Sequence, residues 1–482
     1  MVKESISKNF LLQFLYQGLI LIIPLILSPY LTRILQEAAL GVYSYTNSIA
    51  YYFVVLSMLG ITRYGQRIVS QNSSDEIKLR KIFWSLFIIH VIVSFFSVCL
   101  FACFILFFGE NYRIIYLIQI FYILSAMFDV TWLFYGLGDF KSVVVKNTFV
   151  KILECILIFI FVNTPSDLWK YALISTLGLL FGQMIMLPKA MRTVPFILVH
   201  KSDCLPHVKP LLIFSISVIT VSLYTVFDKI LLGIMTSESN VAFYEYSNRI
   251  ITIPKIIIGV VNTVVFPYTC KLVKEGNISI QRKYIEYSFL IVSLIGMGSF
   301  WGLLSIGEQF ALFYYGDSFR ICGSVMMCLS PIIYIIGVGD VIRTQYMIPN
   351  HMDKMFNLCI LLNAIINIII SVLLIPSLGI YGAVIGTVSA ELFGLVYQLT
   401  ICNKFINTRQ ILQSAMPFLF MGAIMYILIK VLHLCNFSGV EGLLIEILFG
   451  GIVYLILCFV YFFFFRKEIF SVVLKKMHRC YQ

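Results

Sequence analysis

The sequence predicts an all-α polytopic membrane protein with about 14 transmembrane helices. Three observations predict it. Of 482 residues, 60% are Ala, Val, Ile, Leu, Met, Phe, Trp, Tyr or Cys and only 12% are charged, where a soluble domain averages about 45–50% apolar and about 25% charged. The apolar residues gather in runs of roughly twenty, the length a helix needs to cross ~30 Å of hydrocarbon. The basic residues collect in every second connection between those runs. No water-soluble fold covers so much apolar surface, so a soluble enzyme, a nucleic-acid-binding protein and a disordered chain are excluded. The formal charge of +12 then bears on orientation rather than on nucleic acid.

The runs follow in order. The first, 10–31, carries Pro24 and Pro29. Residues 1–9 enter it without an A-x-A-like cleavage site, so it reads as an uncleaved first helix. Runs 42–61 and 82–108 follow, the latter holding His90, and 114–137 holds Asp129. Run 145–162 holds Lys151 and Glu154, and 169–187 closes a first set of six. The segment 188–210, with Pro188, Pro195, Pro206 and Pro210, reads as a linker. A second six covers 211–232, 246–265, 287–305, 321–341, 355–375 and 381–401, and two more runs cover 415–432 and 443–465. None alternates with period two, which excludes a membrane barrel. Helices satisfy their own backbone in lipid, so a helical bundle follows.

With the N-terminus placed inside, the inner segments hold 25 Lys and Arg and the outer loops three, Arg33, Arg113 and Arg320. One missed or invented span would scramble this split, so both termini are expected in the cytoplasm. The long basic connections 62–81, 188–210 and 266–286 are then cytoplasmic and suit the anionic inner leaflet. An internal repeat divides the bundle. Tyr43, Tyr45, Asn47 and Ile49 recur as Tyr244, Tyr246, Asn248 and Ile250. Asp129-Val130 recurs as Asp340-Val341, and Ala172-x-Ile174-x-Thr176 recurs at the same offset as Ala383-x-Ile385-x-Thr387. Each half has an even number of helices, which makes this a parallel repeat about an axis along the membrane normal. The expected organisation is a six-helix lobe over 1–187, a linker over 188–210, a second six-helix lobe over 211–405, and two additional helices with a basic cytoplasmic tail over 406–482.

The twelve cysteines are scattered without a C-x-x-C pair, which points to neither disulfides nor zinc. His90 has no ligand type at helical spacing, so no metal is expected. Charges inside spans are costly and mark cavities or partners. Lys146, Lys170 and Lys430 sit near span ends, where they snorkel. Lys151 and Glu154 share a helix face as a local ion pair or a cavity pair, and Glu245 and Arg249 are spaced the same way. Asp228 and Lys229 are adjacent and point apart. Lys255 and Glu391 lie near mid-span without a local partner and invite either a cross-bundle pair or a functional role. If Arg33, Lys151, Lys229, Arg249 and Lys255 converge, they form a cationic lumen suited to phosphate or pyrophosphate. Pro24, Pro29, Pro254 and Pro267 are candidate hinges or ordinary membrane-helix prolines. Neither a P-loop nor H-E-x-x-H occurs, so no cofactor is expected. Coupling would fall to a proton or sodium gradient acting through Asp129, Glu154, Asp228, Glu391 or Glu446.

Four stretches carry a resemblance: Pro29-Tyr-Leu-Thr-Arg33-Ile-Leu with Gly41-Val-Tyr43; Phe128-Asp129-Val-Thr-Trp132-Leu-Phe-Tyr-Gly136; Asp228-Lys229-Ile-Leu-Leu-Gly233 with Tyr244; and Gly379-Ile-Tyr-Gly382-Ala-Val-Ile-Gly386 with Glu391. In this order they resemble the O-antigen and capsule repeat-unit flippases of the multidrug/oligosaccharidyl-lipid/polysaccharide exporter superfamily. One departure is Gln36, where the family often has glycine. The resemblance implies two pseudo-symmetric six-helix lobes around a central cavity that opens alternately to each side of a bacterial plasma membrane. It implies transport of undecaprenyl-pyrophosphate-linked oligosaccharide for surface polysaccharide synthesis, with membrane lipids, a polysaccharide polymerase and glycosyltransferases as partners. The family's cationic lumen maps here onto Arg33, Lys229, Arg249 and Lys255. The chain is then a transporter and not an enzyme. A membrane polymerase would need a larger outer loop than the ~15 residues available. The rival readings are a multidrug exporter, whose cavity would favour aromatic and acidic groups, and a cell-wall precursor flippase.

Overall fold

The computed structural model describes residues 2–433 and 439–466, with side chains from residue 18 onward except at 217, 224 and 410. The basic tail expected over 467–482 lies outside the described residues, as do Cys435 and Cys480. All the described structure is helix and connection, without a strand, and the fourteen apolar runs all fall in helical segments. Eleven segments are long and apolar enough to cross a membrane, or twelve if the pair Asp317–Leu329 and Pro331–Met347, bent by 43°, counts as one. The chain forms two compact units, Met1–Ala242 and Phe243–Gln482.

The first unit contains α1 (Val2–Met58), α2 (Ile61–Asn72), α3 (Glu76–Phe108), α4 (Arg113–Met127), α5 (Thr131–Gly136), α6 (Phe140–Phe161), α7 (Leu168–Met184), α8 (Met186–Thr193) and α9 (Lys201–Met235). Two predicted runs merge in α1. The backbone breaks inside it at Gln36, with φ 62° and ψ 178°, and not at Pro24 or Pro29. The side chains at those prolines are therefore accommodated within a helix that turns elsewhere. Around α1 pack α3, α4, α6 and α9, and α4 also packs on α7. Tyr30 anchors α1 to the end of α6 by donating to the Val162 carbonyl at 2.7 Å.

Two of the quoted motifs meet at one end of this unit. A Cβ at Gly41 would lie 1.9 Å from the Glu238 carbonyl oxygen, and one at Gly233 would lie 2.2 Å from the Tyr45 ring. Only glycine allows these approaches. At the other end, α2, α5, α8 and the start of α3 enclose an aromatic core of Phe83, Trp84, Trp132 and Phe134. Trp132 is fully buried and packs on Gly65, where a Cβ would come within 2.6 Å of its ring. Lys189 of α8 pairs with Asp139 at 2.6 Å. Burial alone would push the Asp139 carboxyl up, but the Lys189 ammonium and Ser142 offset it and hold the group below its ordinary value.

The second unit contains most of α10 (Glu238–Lys274), then α11 (Ile278–Tyr315), α12 (Ile321–Leu329), α13 (Pro331–Ile342), α14 (Asp353–Leu378), α15 (Ile380–Ile401), α16 (Thr408–His433) and α17 (Gly439–Phe465). A π-helical turn, Arg343–Met347, prolongs α13. Pro254 and Pro267 sit inside α10, which remains one helix. The pair α14–α15 is the tightest. Gly382, Gly386, Ala390 and Gly394 recur every fourth residue on α15, opposite Ile375, Ser371, Asn367 and Asn363 of α14. Small residues on one helix and short polar ones on the other let the backbones close without an apolar driving force, which lipid would not supply.

Candidate functional site

In the first unit, Arg33 is exposed and its Nη1 donates to the Pro29 carbonyl one turn back, at 2.9 Å. Lys151 and Glu154 form an ion pair at 2.7 Å, with the carboxylate buried and the ammonium more open. Helical spacing alone explains this pair. Asp129 is engaged locally: its Oδ1 accepts from the Thr131 amide at 2.8 Å and the Thr131 hydroxyl at 2.6 Å. It thereby closes the break between α4 and α5. His90 is buried nearby, with Nε2 bonded to the Ala126 carbonyl at 2.8 Å. Asp228 is buried and Lys229 half-buried on α9, and both are engaged by neighbouring groups. The lysines expected to snorkel have partners: Lys170 pairs with Asp167 at 2.6 Å, Lys146 donates to Gln183 at 3.2 Å, and in the second unit Lys430 lies over Tyr426.

In the second unit, the Arg249 Nε donates to Glu245 at 3.1 Å, and its guanidinium lies 4.3 Å from the Tyr246 ring centroid. Lys255 makes no ion pair among the described residues. The acid whose charge acts on it is Asp340 of α13, not Glu391. Asp340 in turn pairs with Arg343 at 2.7 Å. Glu391 is half-buried on α15 and has no hydrogen bond or ion pair among the described residues. An unpaired carboxylate on an apolar helix is costly, which singles Glu391 out among the acids of this unit. Glu446 accepts from His433 at 3.0 Å. Among the described residues, no three His, Cys, Asp or Glu side chains gather into a metal-binding set.

The second unit therefore brings together Lys255, Asp340 and Arg343. The sequence marks Lys255 as a mid-span charge and Asp340 only as part of the repeat, and Arg343 falls among the 25 inner-segment cations. The i, i+3 spacing of Asp340 and Arg343 was the available signal. The polar seam of Asn363, Asn367 and Ser371 was also missed. Its signal was a polar residue at every fourth position of an otherwise apolar run.

Residues 6–273 match the family model described as polysaccharide biosynthesis protein. The chain belongs to that family. Two relatives are each named "Putative O-antigen transporter". The one from Shigella dysenteriae is 24% identical over 403 residues, covering 82% of this chain and 99% of its own length. The one from Escherichia coli strain K12 is 22% identical over 369 residues, covering 74% of this chain and 86% of its own length. Among solved structures, the lipid II flippase MurJ in an inward closed conformation superposes with a TM-score of 0.74 at 16% identity, over 96% of this chain and 100% of that one. An inward-facing multidrug resistance MATE family transporter of the MOP superfamily superposes at 0.59 with 13% identity, over 80% of this chain and 99% of that one. These two share the fold. The family read from the motifs agrees with the family found.

Proposed function

We propose that the chain flips undecaprenyl-pyrophosphate-linked oligosaccharide repeat units from the cytoplasmic to the outer leaflet of a bacterial plasma membrane, by ion-coupled alternating access. The observation that carries this reading is the match along nearly the whole length of a protein named as an O-antigen transporter. The apolar helices add support. They hold Arg33, Lys151, Lys229, Arg249 and Lys255, cations of the kind that bind a pyrophosphate. The chain carries no nucleotide-binding loop, so energy would come from a proton or sodium gradient. Glu391 is the coupling group best placed for it, being unpaired, ahead of Asp129, Glu154 and Asp228, whose carboxylates are already engaged.

The test is flipping of a lipid-linked oligosaccharide in proteoliposomes, read by the accessibility of the sugar to an external enzyme. Flipping should exceed that of protein-free vesicles and slow when ionophores collapse the gradient. Lys255→Gln should reduce it at least tenfold, since a charge-assisted contact is worth about 1.5–3 kcal/mol. Undiminished flipping without a gradient would remove the coupling. A rate equal to that of bare lipid would remove the function.

A further inference from the structure

Two cations of the second unit, Arg343 and Lys255, act on one carboxylate, Asp340. Arg343 holds Asp340 at 2.7 Å, with the two side chains 33% and 27% exposed. Neither side chain is fully enclosed by protein. The Arg343 guanidinium also lies 5.3 Å from the Phe356 ring centroid, within cation–π range. Lys255 feels the Asp340 charge but closes no ion pair with it. The cluster thus carries two positive charges and one negative one among apolar helices, where uncompensated charge is expensive.

The register of this cluster is fixed by neighbouring hydrogen bonds. The π turn that begins at Arg343 is closed by the Ile348 amide donating to the Arg343 carbonyl at 2.9 Å. Two other helices pin it. Gln345, fully buried, donates to Asn262 of α10 at 3.0 Å, and Gln281 of α11 donates to the Gln345 carbonyl at 3.0 Å. Asn262 lies seven residues after Lys255, two helical turns along one face. The bond that holds the π turn therefore also turns Lys255 toward α13. Single π turns are frequent where a helix carries a functional side chain.

We propose that Asp340 is a resident counter-anion, which the diphosphate of the substrate displaces from Arg343, so that Arg343 and Lys255 together form a diphosphate site within the second unit. This rests on the diphosphate-linked substrate proposed above. A diphosphate supplies the charge that one carboxylate does not, and arginine can bind its oxygens through two N–H groups, where Asp340 is held by one contact, Nη2 to Oδ1. In the proposed topology α13 runs toward the cytoplasm, so the site faces the leaflet where the substrate is loaded.

The test is a double-mutant cycle on the purified full-length protein in nanodiscs, with farnesyl diphosphate as the probe and farnesol as the control. Arg343→Gln should weaken diphosphate binding about tenfold and leave farnesol unchanged. Asp340→Asn should tighten binding several-fold, because the competitor for Arg343 is gone, and should have no effect in the Arg343→Gln background. Thermal unfolding checks that each variant is folded. Should Asp340→Asn fail to accumulate, Arg343→Lys carries the same question. It keeps the charge that balances Asp340 but loses the fork, and binding should fall several-fold. The inference is overturned if Asp340→Asn weakens binding, if its effect is the same with and without Arg343, or if Arg343→Lys binds as the parent does. Wild-type binding with any of these results leaves the flippase reading standing. Absence of wild-type binding removes both.

Discussion

Gln36 shows how one residue can carry the cost of a family's fold. Its φ of 62° with ψ of 178° lies in a region that glycine occupies freely and side chains avoid, at a cost of about 1–3 kcal/mol. The resemblance places glycine there in other members, and the backbone explains why: α1 must stop and resume at this point. Gln36→Gly should raise stability by about 1 kcal/mol, and Gln36→Val should lower it, both read as the unfolding midpoint of the detergent-solubilised protein. A Gly variant no more stable than the parent would show that the break is unstrained. Only part of this was legible in the sequence. The motif flagged Gln36 as a departure, yet the prolines drew the hinge expectation, because a missing backbone donor is visible in sequence while a positive φ is not. The same limit applies to Lys255. Its isolation within its own helix was readable from spacing. Its neighbour Asp340 belongs to another helix, and only packing brings them within electrostatic reach.

Helices were legible as elements because lipid demands long apolar runs; their contacts were not, because an all-apolar surface has no periodicity to read. The α14–α15 pair illustrates this. Its seam is set by glycines, which face the Ser371 and Asn363 side chains at Gly386 and Gly394 and backbone at Gly382: a Cβ at Gly382 would fall 2.5 Å from the Ile375 nitrogen and the Leu374 carbonyl carbon. Neither atom can rotate away, so the helices must part. Gly382→Ala should cost about 1–3 kcal/mol by overpacking, measured as a loss of thermal stability and of folded yield. Gly451 of α17 is the matched control. Nothing lies within 4 Å of a Cβ there, so Gly451→Ala should be neutral or stabilising by up to about 1 kcal/mol. If both substitutions behave alike, helix propensity governs the result and the seam does not.

For the whole molecule, the number of crossings turns on α1 and α6. Counted by length and composition, the segment from Gly18 to Asn72 is one candidate span and α6 is none. Physical length argues otherwise. The 57 residues of α1 extend about 85 Å at 1.5 Å per residue, close to three times the ~30 Å of hydrocarbon. A helix of that length broken at Gln36 is long enough to cross twice. The 22 residues of α6 extend about 33 Å at 1.5 Å per residue, enough to span, and within it Lys151 and Lys146 have partners in Glu154 and Gln183. Both counts put a fusion after Ser237 outside, so that site decides nothing. The connection between α2 and α3 decides it: with two crossings in α1 it is cytoplasmic, and with one it is outside. Arg63, Arg67, Lys78, Arg80 and Lys81 flank it, and a cluster of five cations within short reach of span ends favours the inner face. A reporter fused after Ser74, and another after Gly138, should therefore remain cytoplasmic. An external reporter at Ser74 would reduce α1 to a single crossing and, with it, remove the charge asymmetry on which the fourteen-span topology rests.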